Sequence, residues 1–325
     1  MKDEIVCIFD NLRRVEIVEQ RKALDAQASL IMFVLCLLWG LQQVVLKLAA
    51  SDISALMQIA LRSALSALMV YLLIQAGVRR QLWSRSYLPA GLLVGVLFAL
   101  EFYLVAEALR YTSASHTIVL LYTAPIFVAL GLHWKLPSEH LSPLQWGGIL
   151  VAFSGIVVSF LFRSHTGQAM QASMLWGDLL ALMAGIFWAA TTVSVRLTRL
   201  AEAPATQTLF YQLLMGGMVL LPLAWMTGQA TVNWTTLSIS SLIFHTVVIS
   251  FASYLVWFWM LKKYLASRLG VFSFLTPVFG MIFGILLLDE EIEMNFIIGT
   301  IMVMLGVVLV SLQGWLKPKN IKVAP

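Results

Sequence analysis

Charged side chains are scarce in this chain. Asp, Glu, Lys and Arg make up 11% of its 325 residues, against 60% in the hydrophobic set, whereas a soluble domain spends about a quarter of its positions on charge. So few charges cannot cover two soluble domains of ordinary size without leaving broad apolar patches in water. Part of the solvent must therefore be lipid. Cysteine is scarcer still: Cys7 and Cys36 are the only two, and their spacing fits neither a disulfide framework nor a zinc cluster. No metal and no other cofactor is expected. The net charge of +5 comes from Lys and Arg scattered between apolar runs, without the dense basic stripe and stacking aromatics that nucleic acid requires. The ten-residue alternating strands of a porin-like barrel are also missing.

What the sequence has in abundance is apolar length. Runs of about 20 residues, the length that crosses a bilayer as a helix, fall at 29–48, 55–75, 88–109, 114–132, 142–162, 174–195, 206–226, 237–260, 265–287 and 295–315, with short connections. Lys and Arg divide unequally between alternate connections. One side collects 17, including five in the N-terminal tail, Arg79, Arg80, Arg85, Arg196, Arg199 and the tail Lys317, Lys319 and Lys322; the other collects Lys47, Arg110 and Arg163. By the positive-inside rule the basic side is cytoplasmic, which places both termini inside a multi-pass inner or plasma membrane protein. Asp289, Glu290, Glu291 and Glu293 then share an outside loop.

Residues 1–27 read as a cytoplasmic extension, since the charged stretch is too long for a cleaved signal peptide. Ile5, Phe9, Leu12 and Val15 could line one side of a helix lying on the membrane surface, with a poorly ordered tail as the alternative. A second tail follows at 317–325.

An internal repeat joins the spans. At an offset of 152 residues Leu109 meets Leu261, Ala114 meets Ala266, Ser115 meets Ser267, Pro125 meets Pro277 and Phe127 meets Phe279; at 149, Trp39 meets Trp188, Lys47 meets Arg196 and Gln58 meets Gln207. Each repeat holds five spans, an odd number, so the second enters the membrane in the opposite sense. The expected fold is an all-α polytopic membrane protein of ten transmembrane helices, built as two inverted five-helix repeats at 28–163 and 174–316. Such repeats commonly frame a central substrate path. Pro125 and Pro277 fall inside spans four and nine, where a missing amide can kink the helix; a gate or site boundary and simple packing are both open. Gly91 with Gly95, and Gly280 with Gly284, read as close-packing positions.

Together, the two five-helix halves, the Trp39-Gly40 start, the stretch from Ala108 through Leu-Arg-Tyr-Thr-Ser-Ala to Pro125, the stretch from Gly177-Asp178 to Trp188, and Leu275-Thr-Pro277 resemble the drug/metabolite transporter superfamily, specifically its ten-helix members with two EamA-type domains. The resemblance implies an inner-membrane carrier that exports a small metabolite, such as an amino acid. The second half departs in having Lys262-Lys263-Tyr264 where the first has Arg110-Tyr111-Thr112.

Charges inside the spans are the informative side chains, because hydrocarbon tolerates them only in a bundle interior or an aqueous cavity. Glu101 lies near the middle of span three and is the first candidate, either for contacting a substrate amine or for carrying a proton; a structural ion pair is the alternative. Glu107 is six residues further on, a rotation of about 240° after complete turns, so the two carboxylates do not share a face. Arg62 suits a substrate carboxylate or a salt bridge; Glu107 and Asp178 are further candidates for substrate binding or coupling, with a cap or an interfacial contact as the alternative for Asp178. Lys47 is expected to snorkel. Gln58 and Gln207, with Gln42, Gln43 and Gln212, offer neutral handles, and Trp39, Trp188 and Tyr254 are the aromatics selected for a pathway. His116 and His245 could take part in proton traffic or sit satisfied in the core.

The expected function is a secondary transporter or exporter of a small metabolite, an amino acid or an amphipathic amine, working by alternating access. Proton coupling is open, as is the choice between monomer and homodimer. An intramembrane enzyme using Glu101, Glu107 and His116 lacks a recognisable nucleophile or metal signature. A channel, or a structural or sensory module, completes the alternatives.

Overall fold

A computed structural model describes residues 25–135, 140–161, 168–264, 269 and 272–316. Both tails, Arg163 and Arg268 lie outside the described residues. The described chain is helical, and its apolar helices correspond to the ten expected spans. In order they are α1 (Ala26–Leu48), α2 (Ala55–Leu73), α3 (Leu88–Tyr111), α4 (Ala114–Leu121 and Ala124–Lys135), α5 (Pro143–Leu161), α6 (Gln168–Leu197) and α7 (Ala205–Met226). Then come α8 (Thr236–Ile243, Phe244–Ser253 and Tyr254–Lys263), α9 (Leu275–Leu288) and α10 (Met294–Leu316).

Exchanging the halves turns each helix into its repeat partner, α1 into α6 through α5 into α10, and the packing obeys that exchange. α1 packs on α9 and α6 on α4; α3 packs on α7 and α8 on α2; α2 with α7, and α5 with α10, are pairs that map onto themselves. Small residues let one of these pairs approach closely: a Cβ added to Gly155 of α5 would stand 2.6 Å from the Gly299 carbonyl oxygen of α10, so a side chain there would force the two backbones apart. One pair breaks the symmetry. α3 lies along α6, whereas its counterpart, α8 against α1, meets over a short stretch only.

The connections at one end of the bundle, the acidic end, carry Asp289 and Glu290, and those at the other, the basic end, carry Arg79, Arg80, Arg85 and Arg199. At the acidic end the Glu290 carboxylate accepts from the Ala114 amide at 2.6 Å, the Ser115 amide at 3.0 Å and the Ser115 hydroxyl at 2.6 Å. The start of α4 leaves amide donors unpaired within its own helix, and a carboxylate from the other repeat satisfies two of them. At the basic end Asp25 caps α1 by accepting from the Ala28 amide at 2.8 Å, and the Tyr264 hydroxyl donates to it at 3.2 Å.

Three spans are not regular. α4 is interrupted at Tyr122 and Thr123, just before Pro125, whose ring cannot donate to the preceding turn. The Thr123 hydroxyl donates to the Leu120 carbonyl at 2.6 Å, and Gly185 of α6 packs on the break, where an added Cβ would lie 3.0 Å from the Leu121 carbonyl oxygen. Near its repeat counterpart, Ser273 and Phe274 form a turn before α9, with Pro277 in the first turn of that helix. The third is α8, whose middle part, Phe244–Ser253, winds as a π-helix, a form concentrated at functional sites.

Candidate functional site

Glu101 and Arg62 come together in the interior. Arg62 on α2 is 1% exposed and Glu101 on α3 is 5% exposed, and each lies within electrostatic reach of the other and of the Tyr254 hydroxyl on α8. Tyr122, at the break of α4, is within reach of Glu101 and Tyr254 as well. The Arg62 guanidinium stands over the Phe102 ring, 4.6 Å from its centre, and its Nε and Nη1 have no hydrogen-bond partner among the described residues. Arg62 and Glu101 therefore attract one another without closing a direct salt bridge. Shifting Glu101 by the repeat offset lands on Ser253, so the charges belong to the first half and the second contributes hydroxyls.

Among the described residues, other buried polar atoms without partners include Gln42 Oε1 and Gln43 Oε1 on α1 and Thr246 Oγ1 and Ser250 Oγ in the π-helix. A buried polar atom left unpaired is destabilising by about 1–3 kcal/mol. Thr246 and Ser250 share a span with Tyr254, which lies within reach of Arg62 and Glu101, and their hydroxyls suit water or the polar groups of a solute. The sequence carries a weak signal for the hydroxyls: Thr246, Ser250 and Ser253 recur at spacings of four and three along one span.

Trp39 and Trp188 flank this centre. The Trp39 indole donates to the Ser253 hydroxyl at 3.0 Å and meets Trp257 edge-on, with ring centres 5.5 Å apart. Its repeat partner Trp188 meets Tyr122 edge-on at 5.2 Å. Both are half-buried, as a wall residue would be.

The remaining candidates sit elsewhere. Glu107 lies near the acidic end, bound to Arg110 Nη1 at 2.7 Å and to Gln229 Nε2 at 2.7 Å. Asp178 is buried and accepts from the Thr112 hydroxyl at 2.5 Å, with His116 Nδ1 at 3.1 Å from both its oxygens. The His116 ring stacks on Phe296 at 3.7 Å. Lys47 is half-buried at the acidic end, where its ammonium donates to the Thr112 carbonyl. Gln58 and Gln207 are inverted counterparts, so they occupy opposite ends, at the starts of α2 and α7. Gln58 Nε2 donates to the Ile53 carbonyl at 2.9 Å and the Leu46 carbonyl at 3.2 Å. Gln207 donates to the Tyr211 hydroxyl at 3.4 Å, and that hydroxyl donates to the Leu82 carbonyl at 2.6 Å. A polar cavity of about 280 Å³ opens at the acidic end between Asp52, Arg110, Gln229 and Asn233. It contains neither Glu101 nor Arg62.

A duplicated ten-helix bundle with a buried, incompletely paired polar centre is the architecture of a membrane transporter. Comparison with known proteins gives the family: the model of the EamA-like transporter family matches residues 27–161 and 175–312, and the chain belongs to that family. It is 26% identical over 273 residues, 83% of this chain and 92% of the relative, to the uncharacterized transporter YoaV of Bacillus subtilis (strain 168). It is 27% identical over 282 residues, 82% of this chain and 89% of the relative, to the probable amino-acid metabolite efflux pump of Escherichia coli (strain K12). A solved crystal structure shares the fold with a TM-score of 0.61 at 17% identity, covering 88% of this chain and 98% of that one.

Proposed function

We propose that the protein exports a small zwitterionic metabolite of the amino-acid class across the bacterial-type inner membrane by alternating access, with both termini in the cytoplasm. The observation that carries this reading is the arrangement of Arg62 and Glu101, two buried opposite charges within reach of each other but not joined, with two Arg62 donors unpartnered. A guanidinium suits a carboxylate and a carboxylate suits an ammonium, so a zwitterion lying between them would satisfy both. Trp39, Trp188, Tyr122 and Tyr254 supply the apolar and aromatic walls for the rest of the solute. The name of the Escherichia coli relative agrees with this substrate class.

Residues 28–163 and 174–316 act in this proposal as the two halves that rock about the centre, and the broken helices at Pro125 and Pro277 are the bending points. The excess of Lys and Arg at the basic end orients that end to the cytoplasm. Glu107, Asp178, Gln58 and Gln207 hold the ends of helices in place.

The test is binding to purified protein in lipid nanodiscs, read by thermal stabilisation with a panel of amino acids, their decarboxylated amines and their deaminated acids. Zwitterions are expected to stabilise the wild type most. Arg62→Gln should remove the preference for a carboxylate and Glu101→Gln the preference for an amine. Equal stabilisation by all three classes, unchanged in both variants, would overturn the assignment.

A further inference from the structure

We propose that His245 is a proton-binding site, and that its proton closes the seam between α1 and α8, linking transport to pH. His245 is fully buried in the π-helical part of α8. Its Nδ1 lies 2.7 Å from the carbonyl oxygen of Ser241, and its Nε2 lies 3.1 Å from the carbonyl oxygen of Gln42 on α1. A neutral imidazole has one N–H and one lone pair. Either neutral tautomer satisfies one carbonyl and turns a lone pair toward the other. The imidazolium satisfies both.

The Ser241 hydroxyl, 3.3 Å from Nδ1, does not relieve the conflict, because its proton is committed. It donates to Gln58 Oε1 at 2.5 Å. The orientation of that amide is fixed in turn, since Gln58 Nε2 faces two carbonyls, those of Ile53 and Leu46. The donors thus run from Ser241 to Gln58 of α2 and away from the imidazole, which is left facing two carbonyl acceptors.

The charged group that acts on His245 among the described residues is Arg62 of α2. Glu101 of α3 acts on Arg62, Tyr254 lies further along α8, and α1 presents the Gln42 carbonyl. Burying a second cation near Arg62 is costly, and the two carbonyl dipoles offset part of that cost. α1 and α8 meet over a short stretch, where their polar links are His245 to Gln42 and Trp39 to Ser253. With the remaining proton on Nδ1, at the shorter contact to Ser241, loss of the other leaves the link from His245 to Gln42 without its hydrogen, which is how protonation would bias the opening of the seam.

The inference rests on the carrier reading for its consequence but not for its test. The full chain, labelled with 15N-histidine in lipid nanodiscs, is titrated between about pH 5 and pH 8, with the five histidines assigned by comparison with His245→Gln or, should that variant not fold, His245→Asn. The expected result is that both ring nitrogens of His245 move into the imidazolium range as pH falls. Spin labels at Leu48 and Leu237, at the acidic-end termini of α1 and α8, should separate as the proton leaves, and the variant should lose that pH dependence. A single neutral tautomer throughout the range, or an unchanged pH dependence of the distance in the variant, would overturn the proposal. Because neither readout uses a solute, a protein that moved no metabolite would refute the carrier reading and leave the titration of His245 to be judged separately.

Discussion

Glu290 makes a sharp prediction about how the acidic end is held shut. Its carboxylate comes from the connection between α9 and α10 in the second repeat and grips the first turn of α4 in the first repeat through three contacts of 2.6, 3.0 and 2.6 Å. Glu290→Ala removes all three and leaves the amides of Ala114 and Ser115 without a protein partner. Both residues are at most 1% exposed. Charge-assisted hydrogen bonds contribute about 1.5–3 kcal/mol each, but contacts sharing one carboxylate are not additive and Glu290 is itself half-exposed. A net loss of about 2 kcal/mol follows, which is roughly a 30-fold shift toward opening of this end. Glu290→Gln keeps one acceptor oxygen and should lose about 1 kcal/mol, roughly fivefold. The assay places a cysteine at Ile118, which is 1% exposed beneath the latch, after Cys7 and Cys36 are changed to Ser, and follows labelling by a membrane-impermeant thiol reagent in sealed vesicles. Labelling should quicken in the order wild type, Glu290→Gln, Glu290→Ala. Rates within about twofold of one another would refute the latch.

Other expectations follow from the packing and the caps. Gly155→Val would set a side chain against the Gly299 carbonyl, 2.6 Å from the added Cβ, and should destabilise the α5–α10 pair by about 1–3 kcal/mol, seen as a lower unfolding midpoint in nanodiscs. Trp39→Phe keeps a ring beside Trp257 but loses the 3.0 Å bond to Ser253, a change of about 1 kcal/mol; combined with Ser253→Ala it should add little, as a thermal double-mutant cycle would register. The Ala28 amide, with help from the Tyr264 hydroxyl, holds the Asp25 carboxyl below the usual carboxylate range. Its contribution is present above the unfolded-state pKa and is lost as pH falls through the folded-state value, so Asp25→Asn should flatten the acid limb of the stability profile.

Most of the architecture was legible in the sequence because the bilayer imposes it. Span length, Lys and Arg parity and the offsets of 152 and 149 residues each constrain the same ten helices, and the packing obeys the exchange of halves they imply. Glu101 and Arg62 stood out for the same reason: charge in the middle of an apolar span requires an interior partner. Six residues further along the same helix, Glu107 binds Arg110 and Gln229 near the acidic end. Side-chain partners from distant segments could not be read in this way. Nothing local to Glu290 indicates that it caps α4, 175 residues away, and nothing local to His245 indicates that both its nitrogens meet carbonyl oxygens. The π-helical winding of α8 also escapes a hydropathy pattern, which reads only that the span is apolar. The opposite placement of Gln58 and Gln207 was implicit in the inversion, because equivalent positions in inverted repeats lie at opposite ends.

The central claim is that one solute at a time crosses the membrane bound between Arg62 and Glu101. Counterflow in proteoliposomes tests it most directly: vesicles loaded with an unlabelled zwitterionic amino acid are diluted into a trace of the labelled form. The account predicts a saturable, transient overshoot of label that is lost in both Arg62→Gln and Glu101→Gln while those variants retain their folded helical signal. Label that merely equilibrates with no overshoot for any zwitterion, or an overshoot of undiminished size in both variants, would contradict it.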